Sequence, residues 1–197
     1  MTGVDQLHNP IASMEAPRQA KILDVSGRWL LNRSLSDSTE ASFALQGIPW
    51  IVRKIINFAT LELQYVQLPP SPGSTAARFG FKQTVSPGGF NTSNEYIFDG
   101  QKRVDTVPIF GEISARCRYI RGGELAEHVA GLSGADVDDT AILEVIQSEA
   151  MGWSASTVWV FEAIDGGRRL VKHNTTTKGE QVEKATIVFD YLGPPRL

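Results

Sequence analysis

Apolar and polar residues alternate along most of the chain after residue 60, which is the pattern of half-buried β-strands. Turn-forming clusters separate these stretches, such as the Pro-Gly-Gly at residues 87–89 and the Asp-Gly-Gly at 165–167. A first strand is predicted over residues 22–32. The later predicted strands span residues 61–68, 77–85, 90–98, 108–120, 142–149, 157–163, 169–175 and 183–192.

Two short helices are predicted between the first and second strands. Asp37 and Glu40 have the spacing of a helix N-cap and its partner, and Gly47 suits the residue after a helix end. Pro49 fits the first turn of a second helix that ends near Asn57. This helix carries Trp50 and three isoleucines, which predict a lid on the barrel rim or an exposed docking patch.

Two short helices cannot cover the apolar face of so large an open sheet, so the sheet must close on itself. The predicted fold is therefore all-β: a closed antiparallel up-and-down barrel of about 8–10 strands. Residues 1–20 are expected to form a flexible tail before a single domain over 21–197. Residues 122–139, rich in small side chains, are expected to be a loop or a short helix.

Composition and residue spacing argue against several classes of partner and cofactor. The net charge of −3 offers no basic footprint, so nucleic acid is not an expected partner. Cys117 is the single cysteine, which excludes an internal disulfide. The first 21 residues lack an apolar signal core and no segment is apolar enough to span a membrane, so a cytoplasmic protein is expected. The histidines and Cys117 lack metal-ligand spacing, and no phosphate or dinucleotide loop is present, so we expect neither metal nor cofactor.

The first strand and the segment after it resemble known proteins. Ser26-Gly27-Arg28-Trp29 resembles the Gly-x-Trp signature of lipocalins and intracellular fatty-acid-binding proteins. The stretch QGIPWIVRKI at residues 46–55 is similar to the part of the fatty-acid-binding proteins that forms a helix-turn-helix lid. Those proteins commonly hold the ligand carboxylate with an Arg-x-Tyr pair on the last strand. This chain has Phe189-Asp190-Tyr191 there, so the resemblance implies a pocket but disfavours a simple fatty acid.

Most of the chain also resembles small lipocalin-like (calycin) proteins of fungal natural-product pathways. The likeness rests on the stretches GRWLLNRSLSDS, LQGIPWIVRKI, FKQTVSPGGFNTSNEYIFD, VWVFEAIDGGRRLVKH and IVFDYLGP. Some members of that group are cofactor-free cyclases that guide Diels–Alder reactions. The resemblance therefore implies a barrel that binds a hydrophobic small molecule and, in some members, cyclises it.

Strand parity gives a first map of the barrel interior, because alternate residues share a face. Starting from Trp29 and Leu31, the map places Leu63, Gln83, Glu95, Ile97 and Tyr191 inside, with several aromatic residues. The candidate substrate-binding residues are Trp29, Trp50, Tyr65, Phe79, Phe81, Trp159, Phe161, His173 and Phe189. Trp29 is equally well explained as core packing. One of the neighbours Lys172 and His173 is expected to face inward, and a surface position for His173 is the ordinary alternative.

Gln83, Glu95, Lys172 and Tyr191 are the candidate catalytic residues. Gln83, Lys172 and Tyr191 offer hydrogen-bond donors to a substrate carbonyl. A glutamate inside an apolar barrel would have a raised pKa, which suits proton transfer near neutral pH. The alternative for Gln83 and Glu95 is that they face solvent or bond each other.

Two functions fit this pattern. The first is a cofactor-independent cyclase or isomerase, of the Diels–Alderase kind, that folds a hydrophobic natural-product intermediate into a reactive geometry. The second is a non-catalytic carrier or sensor of a hydrophobic small molecule, since both need an apolar cavity with a few polar anchors. A homodimer is compatible with either.

Overall fold

The computed structural model describes residues 14–89, 91–107, 109–129 and 139–196. It contains three short helices, α1 (Glu40–Leu45), α2 (Trp50–Phe58) and α3 (Gly122–His128). None of these helices is long and apolar enough to cross a membrane. The strands are β1 (Gly27–Leu31), β2 (Thr60–Leu68), β3 (Arg78–Ser86), β4 (Thr92–Ile97), β5 (Arg103–Val107), β6 (Gly111–Arg121), β7 (Thr140–Ser148), β8 (Trp153–Ile164), β9 (Gly167–Lys178) and β10 (Gln181–Gly193).

All ten strands belong to one antiparallel sheet with the order β4-β3-β2-β1-β10-β9-β8-β7-β6-β5. Consecutive strands are neighbours throughout, and β1 joins β2 to β10, as in an up-and-down barrel. The predicted all-β barrel is thus confirmed. Strand β5 was missed, because its short sequence RVDTV is largely exposed and gives no apolar alternation to detect.

The sheet curls into a barrel. Where its two ends meet, side-chain contacts join them, without a ladder of backbone hydrogen bonds. Strands β4 and β5 are the ends of the hydrogen-bonded order. Across this seam the ring of Phe98, just after β4, stacks on Tyr119 of β6 with centroids 5.1 Å apart. The Tyr96 hydroxyl on β4 donates a 2.8 Å hydrogen bond to Glu144 on β7. Contacts between interior side chains therefore close the barrel at this seam.

Residues 14–25 close the end of the barrel opposite the helices. Ile22 and Val25 are fully buried and join the interior cluster around Trp29, whose indole N–H donates to the Val25 carbonyl at 3.0 Å. Backbone bonds from Ala16 to Arg168 and from Tyr191 to Met14 fix this plug to β9 and β10. Residues 14–20 therefore belong to the packed structure rather than to a loose tail; residues 1–13 lie outside the described residues.

A second apolar cluster lies on the outer face of β6 to β10. Val158, Val171 and Val188, which point away from the barrel interior, are at most 2% exposed. Leu125 of α3 belongs to this cluster, and Leu35, in the segment after β1, packs against it. That segment follows β10 through hydrogen bonds to Thr186 and Val188. Residues 122–128, predicted as loop or helix, thus form α3 on the outside of the sheet.

The helix pair is held together by polar contacts. Glu40 of α1 accepts hydrogen bonds from Arg53 at 2.9 Å and from Asn57 at 2.6 Å, both on α2. The opposite face of α2 is open to solvent, with Trp50 60% exposed and Phe58 84% exposed. The predicted helices are confirmed, but four apolar side chains of α2 are exposed to solvent: Trp50, Ile51, Ile55 and Phe58.

The plug yields a test of the fold. Ile22→Ala removes a side chain that is 1% exposed, and should lower the free energy of unfolding by about 2–4 kcal/mol, as for other large-to-small core changes. The neighbouring Leu23→Ala, at a position 45% exposed, is the matched control and should change stability by less than about 0.5 kcal/mol. Guanidinium unfolding monitored by tryptophan fluorescence measures both. Equal, small effects would show that residues 14–25 do not seal the barrel.

Candidate functional site

Aromatic rings fill the half of the barrel next to the plug. Trp29 packs against Phe161 and Tyr191, with centroids 5.8 Å and 5.0 Å away. Phe79 meets Phe98 edge-on at 5.3 Å. These contacts are within the range of favourable aromatic pairs, and they leave this half as packed core.

Five inward-facing residues in the half next to the helices are only partly buried, and we call this half the open half. Val85, Thr176 and Ala185, on the same strand faces, are buried. The five partly buried residues are Leu31, Leu61, Gln83, Asn174 and Ile187. We call these five residues the rim. A ligand that reaches the interior from the helix side meets the rim first.

Lys172 of β9 lies where the packed half meets the rim. Its ammonium sits 3.5 Å from the centroid of the Trp159 ring and donates a 3.0 Å hydrogen bond to the Tyr65 hydroxyl. Phe189 lies 5.6 Å away. Burial lowers the pKa of Lys172 to about 8, against the opposing effect of the Glu144 carboxylate. The ring face compensates part of the lost hydration through a cation–π interaction.

Glu144 of β7 lies at the N–H edge of the same indole. Its two oxygens accept hydrogen bonds from the Tyr96 hydroxyl at 2.8 Å and from the Trp159 N–H at 3.2 Å. Glu144 is 5% exposed. Trp159 therefore separates a buried carboxylate at its edge from a buried ammonium over its face.

Three further ionisable groups of the interior, Tyr65, Tyr96 and Cys117, are held neutral. Desolvation raises the pKa of Tyr65 and of Tyr96 well above the usual tyrosine value, and the Glu144 charge adds to both shifts. Burial likewise raises the pKa of the Cys117 thiol, which faces Glu144 across the β6–β7 ladder. The site thus contains one acid and one amine among phenols, a thiol and apolar rings.

Comparison with known proteins adds two relatives in sequence. A probable pericyclase, scpY, from Mollisia scopiformis is 27% identical over 181 residues, which cover 90% of this chain and 95% of the relative. The pericyclase pydY from Acremonium sp is also 27% identical, over 92% of this chain and 98% of the relative. No family model matches the chain.

The solved structures it resembles are fatty-acid-binding proteins. The REP1-NXSQ fatty acid transporter superposes with a TM-score of 0.53 at 14% identity, over 85% of this chain and 95% of the other. The Echinococcus granulosus fatty-acid-binding protein 1 superposes with a TM-score of 0.54 at 12% identity, over 86% and 98%. At such identity the likeness concerns the fold alone. The protein thus has the barrel fold of these structures and is similar in sequence to two pericyclases over most of its length.

Most sequence-predicted site residues lie inside the barrel. Buried in the interior cluster are Trp29, Tyr65, Phe79, Phe81, Trp159, Phe161 and Phe189. Lys172 joins them near the rim, and Gln83 is half-buried on the same face of β3 as Phe81. Tyr191 also faces inward, but it packs against Trp29 at the plugged end, away from Lys172. Trp29, Phe79 and Phe161 lie in the packed half, so the structure gives them the core position that was the alternative for Trp29.

The predicted interior position of Glu95 is wrong. Glu95 pairs with Gly80 and faces outward, where it forms a two-pronged ion pair with Arg78 at 2.6 Å and 2.7 Å. Arg78 lowers the pKa of Glu95 instead of the raised value expected for a buried acid. The predicted alternation failed across the connection from β3 to β4: Gln83 pairs with Thr92, so the even-numbered residues of β4 face inward.

Two further predicted ligand contacts are also wrong. His173 alternates with Lys172 and therefore faces outward, where it pairs with Glu162. Trp50 lies on the solvent side of α2. Both residue types suit a ligand contact, but the strand pleat turns His173 outward and the helix turns Trp50 toward solvent.

Sequence reasoning missed Glu144 and Tyr96. Glu144 stands between Ile142 and Ile146 at the inward positions of β7, so a charge in an apolar alternation was the available signal. The parity error that placed Glu95 inside also placed Tyr96 outside, so Tyr96 was not identified. No local pattern relates either residue to Lys172, which is on a different strand.

The buried amine predicts an unusual pH dependence of stability. Burial lowers the pKa of Lys172 to about 8, below that of an unfolded lysine. Between these two values the folded state has lost a proton that the unfolded state keeps, so stability rises with pH. Relative to Lys172→Met, the wild-type free energy of unfolding should rise by about 1.4 kcal/mol per pH unit from about pH 8 to about pH 10.

Guanidinium unfolding at closely spaced pH values under reducing conditions measures this difference. Below about pH 8 the lysine is charged in both states, so the gap between wild type and variant should be constant. Lys82→Met, at an exposed position of β3, is the matched control and should follow wild type throughout. A gap between wild type and Lys172→Met that does not change up to pH 10 would contradict the burial of this amine.

Proposed function

We propose that the protein is a cofactor-independent cyclase of the pericyclase kind that acts on a hydrophobic natural-product intermediate bound in the barrel. The observation that carries the proposal is the match to two pericyclases over nearly the whole length of both relatives. The site geometry agrees with it: apolar rings shape the interior, and polar groups are few.

A pericyclic reaction needs little covalent help from a protein. Its bonds form and break together within one molecule, so the barrel's main task is to hold the two reacting ends close to each other. Positioning can remove up to about 7–11 kcal/mol of a barrier in well-oriented cases, and a tethered, flexible substrate gains less. The walls formed by Tyr65, Phe81, Trp159 and Phe189 would select one folded conformation of an extended polyene by shape.

Lys172 would supply electrostatic activation. A carbonyl conjugated to the reacting alkene is polarised when a donor binds its oxygen, and this lowers the barrier to addition of a diene. A preorganised donor of this kind is worth about a hundredfold in rate, by analogy with oxyanion-hole donors. The ammonium is suited to the task because Tyr65 and the Trp159 ring fix it at the edge of the open half. Gln83, on the rim, is a second donor within the same interior face.

The proposal is tested with linear polyene ketones and amides that carry a conjugated diene tethered to an electron-poor alkene. Wild-type protein should speed the loss of diene absorbance and yield one product stereoisomer on a chiral column, whereas buffer alone gives a mixture. Lys172→Met should lower the rate by about a hundredfold and keep much of the stereochemical preference, because the wall residues remain. Lys82→Met is the control and should match wild type.

The outcome that contradicts catalysis is specific. If wild-type protein binds the linear substrates but returns every one unchanged, the barrel is a carrier, and the match to pericyclases reflects fold and ancestry alone. If Lys172→Met retains full rate, the barrel acts by shape and the ammonium takes no part.

A further inference from the structure

The partners of the Lys172 ammonium differ from those of two partly buried arginines. Arg169 contacts Asp190 directly, and Arg53 contacts Glu40 at 2.9 Å. Among the described residues, the groups that touch the Lys172 ammonium are the Tyr65 hydroxyl and the Trp159 ring face, both uncharged. An ammonium has three N–H donors. The Tyr65 hydroxyl accepts one of these hydrogen bonds, and the face of the Trp159 ring lies under another donor.

Few charged groups face this ammonium from the surrounding strands. Besides Lys172, the titratable side chains of the described interior are Tyr65 on β2, Tyr96 on β4, Cys117 and Tyr119 on β6, Glu144 on β7 and Tyr191 on β10. Burial raises the pKa values of Tyr65, Tyr96, Tyr119 and Cys117, so these groups stay neutral. Glu144 is thus the counter-charge; it accepts the N–H of the Trp159 indole, and the ammonium lies over the face of the same ring.

We propose that Lys172 binds an ionised oxygen of the ligand, an enolate or a carboxylate, at the floor of the open half of the barrel. The ammonium keeps a donor for this oxygen because no carboxylate among the described residues occupies it. A buried cation without a contacting anion is costly, and an anionic ligand atom removes that cost. This inference rests on the proposed function, since it takes the bound anion to be the substrate and names its chemical class.

Glu144 is, in the same proposal, a positioning residue that acts through Trp159. Its carboxylate accepts the indole N–H and so strengthens the negative ring face on which the ammonium rests. A direct ion pair would hold the lysine equally well but would use the donor that the ligand needs. The hydrogen bond from Tyr96 fixes the carboxylate in this orientation.

Equilibrium binding tests the anion site without any turnover. The probes are a long-chain carboxylic acid and its methyl ester, and a 2-acyl-1,3-cyclohexanedione, which is an acidic enol, and its O-methyl ether. Wild-type protein at about pH 7 should bind at least one anion about tenfold or more tightly than its methylated partner. Comparison of the two anions tells a carboxylate site from an enolate site. Lys172→Met should lose the preference while it still binds the methylated probes, and Lys82→Met should keep it.

The results separate this inference from the proposed function. Equal affinity for each anion and its methylated partner in wild-type protein overturns the anion site, and so does failure to bind any probe. A clear anion preference without cyclisation of any polyene leaves the anion site standing and overturns the cyclase. Retained preference in Lys172→Met shows that another group binds the anion.

The pH profile of the same binding tests the role of Glu144. In wild-type protein the anion preference should fall as pH rises through about 8, where Lys172 loses its proton. Glu144→Gln removes the charge that favours protonation of the lysine, so the midpoint should move to lower pH, by about one unit. Glu95→Gln, on the outer face, is the matched control. A purely structural role for Glu144 would weaken all four probes alike and leave the midpoint in place.

Discussion

The rest of the structure depends on the packing of aromatic rings at the inward positions of the strands. Trp29, from β1, meets Phe161 of β8 and Tyr191 of β10, and so ties the first strand to the last part of the chain. The pleat turns every second residue inward, and rings from adjacent strands and from strands across the barrel pack with centroids 5.0–5.8 Å apart. This packing closes one half of the barrel and restricts any ligand chemistry to the other.

A charge at the edge of that packing gives the site its chemical character. Trp159 belongs to the aromatic core and also carries both ionic groups, one at its N–H and one over its face. The same side chain therefore serves stability and electrostatics. Tyr65 has a similar double role: its ring packs on Phe81 at 5.2 Å and its hydroxyl accepts from Lys172. Core and site are continuous in this barrel.

The sequence was sufficient for the fold because the strand alternation and turn residues are local signals. The inward positions of Tyr65, Phe81 and Trp159 followed from parity within single strands, whereas the choice between Lys172 and His173 stayed open. Prediction failed where one register had to be carried across a turn, as for Glu95, since an offset of one residue exchanges the two faces. The pairing of Glu144 with Trp159 joins two strands, and the exposed face of α2 depends on what the helix packs against; neither is written in a local pattern.

The apolar cluster on the outer face of β6 to β10 makes these strands harder to bend than the rest of the barrel. Strands β7 to β10 are buried on both faces, so bending them outward would expose Val158, Val171 and Val188 as well as the interior rings. Strands β4 and β5 end the hydrogen-bonded order, and no ladder bonds between them need to break when they part. The barrel therefore widens at least cost along the β4–β5 seam. Tyr96 spans that seam to reach Glu144. A bulky ligand that opens the seam therefore also loosens the Glu144 carboxylate at the indole edge.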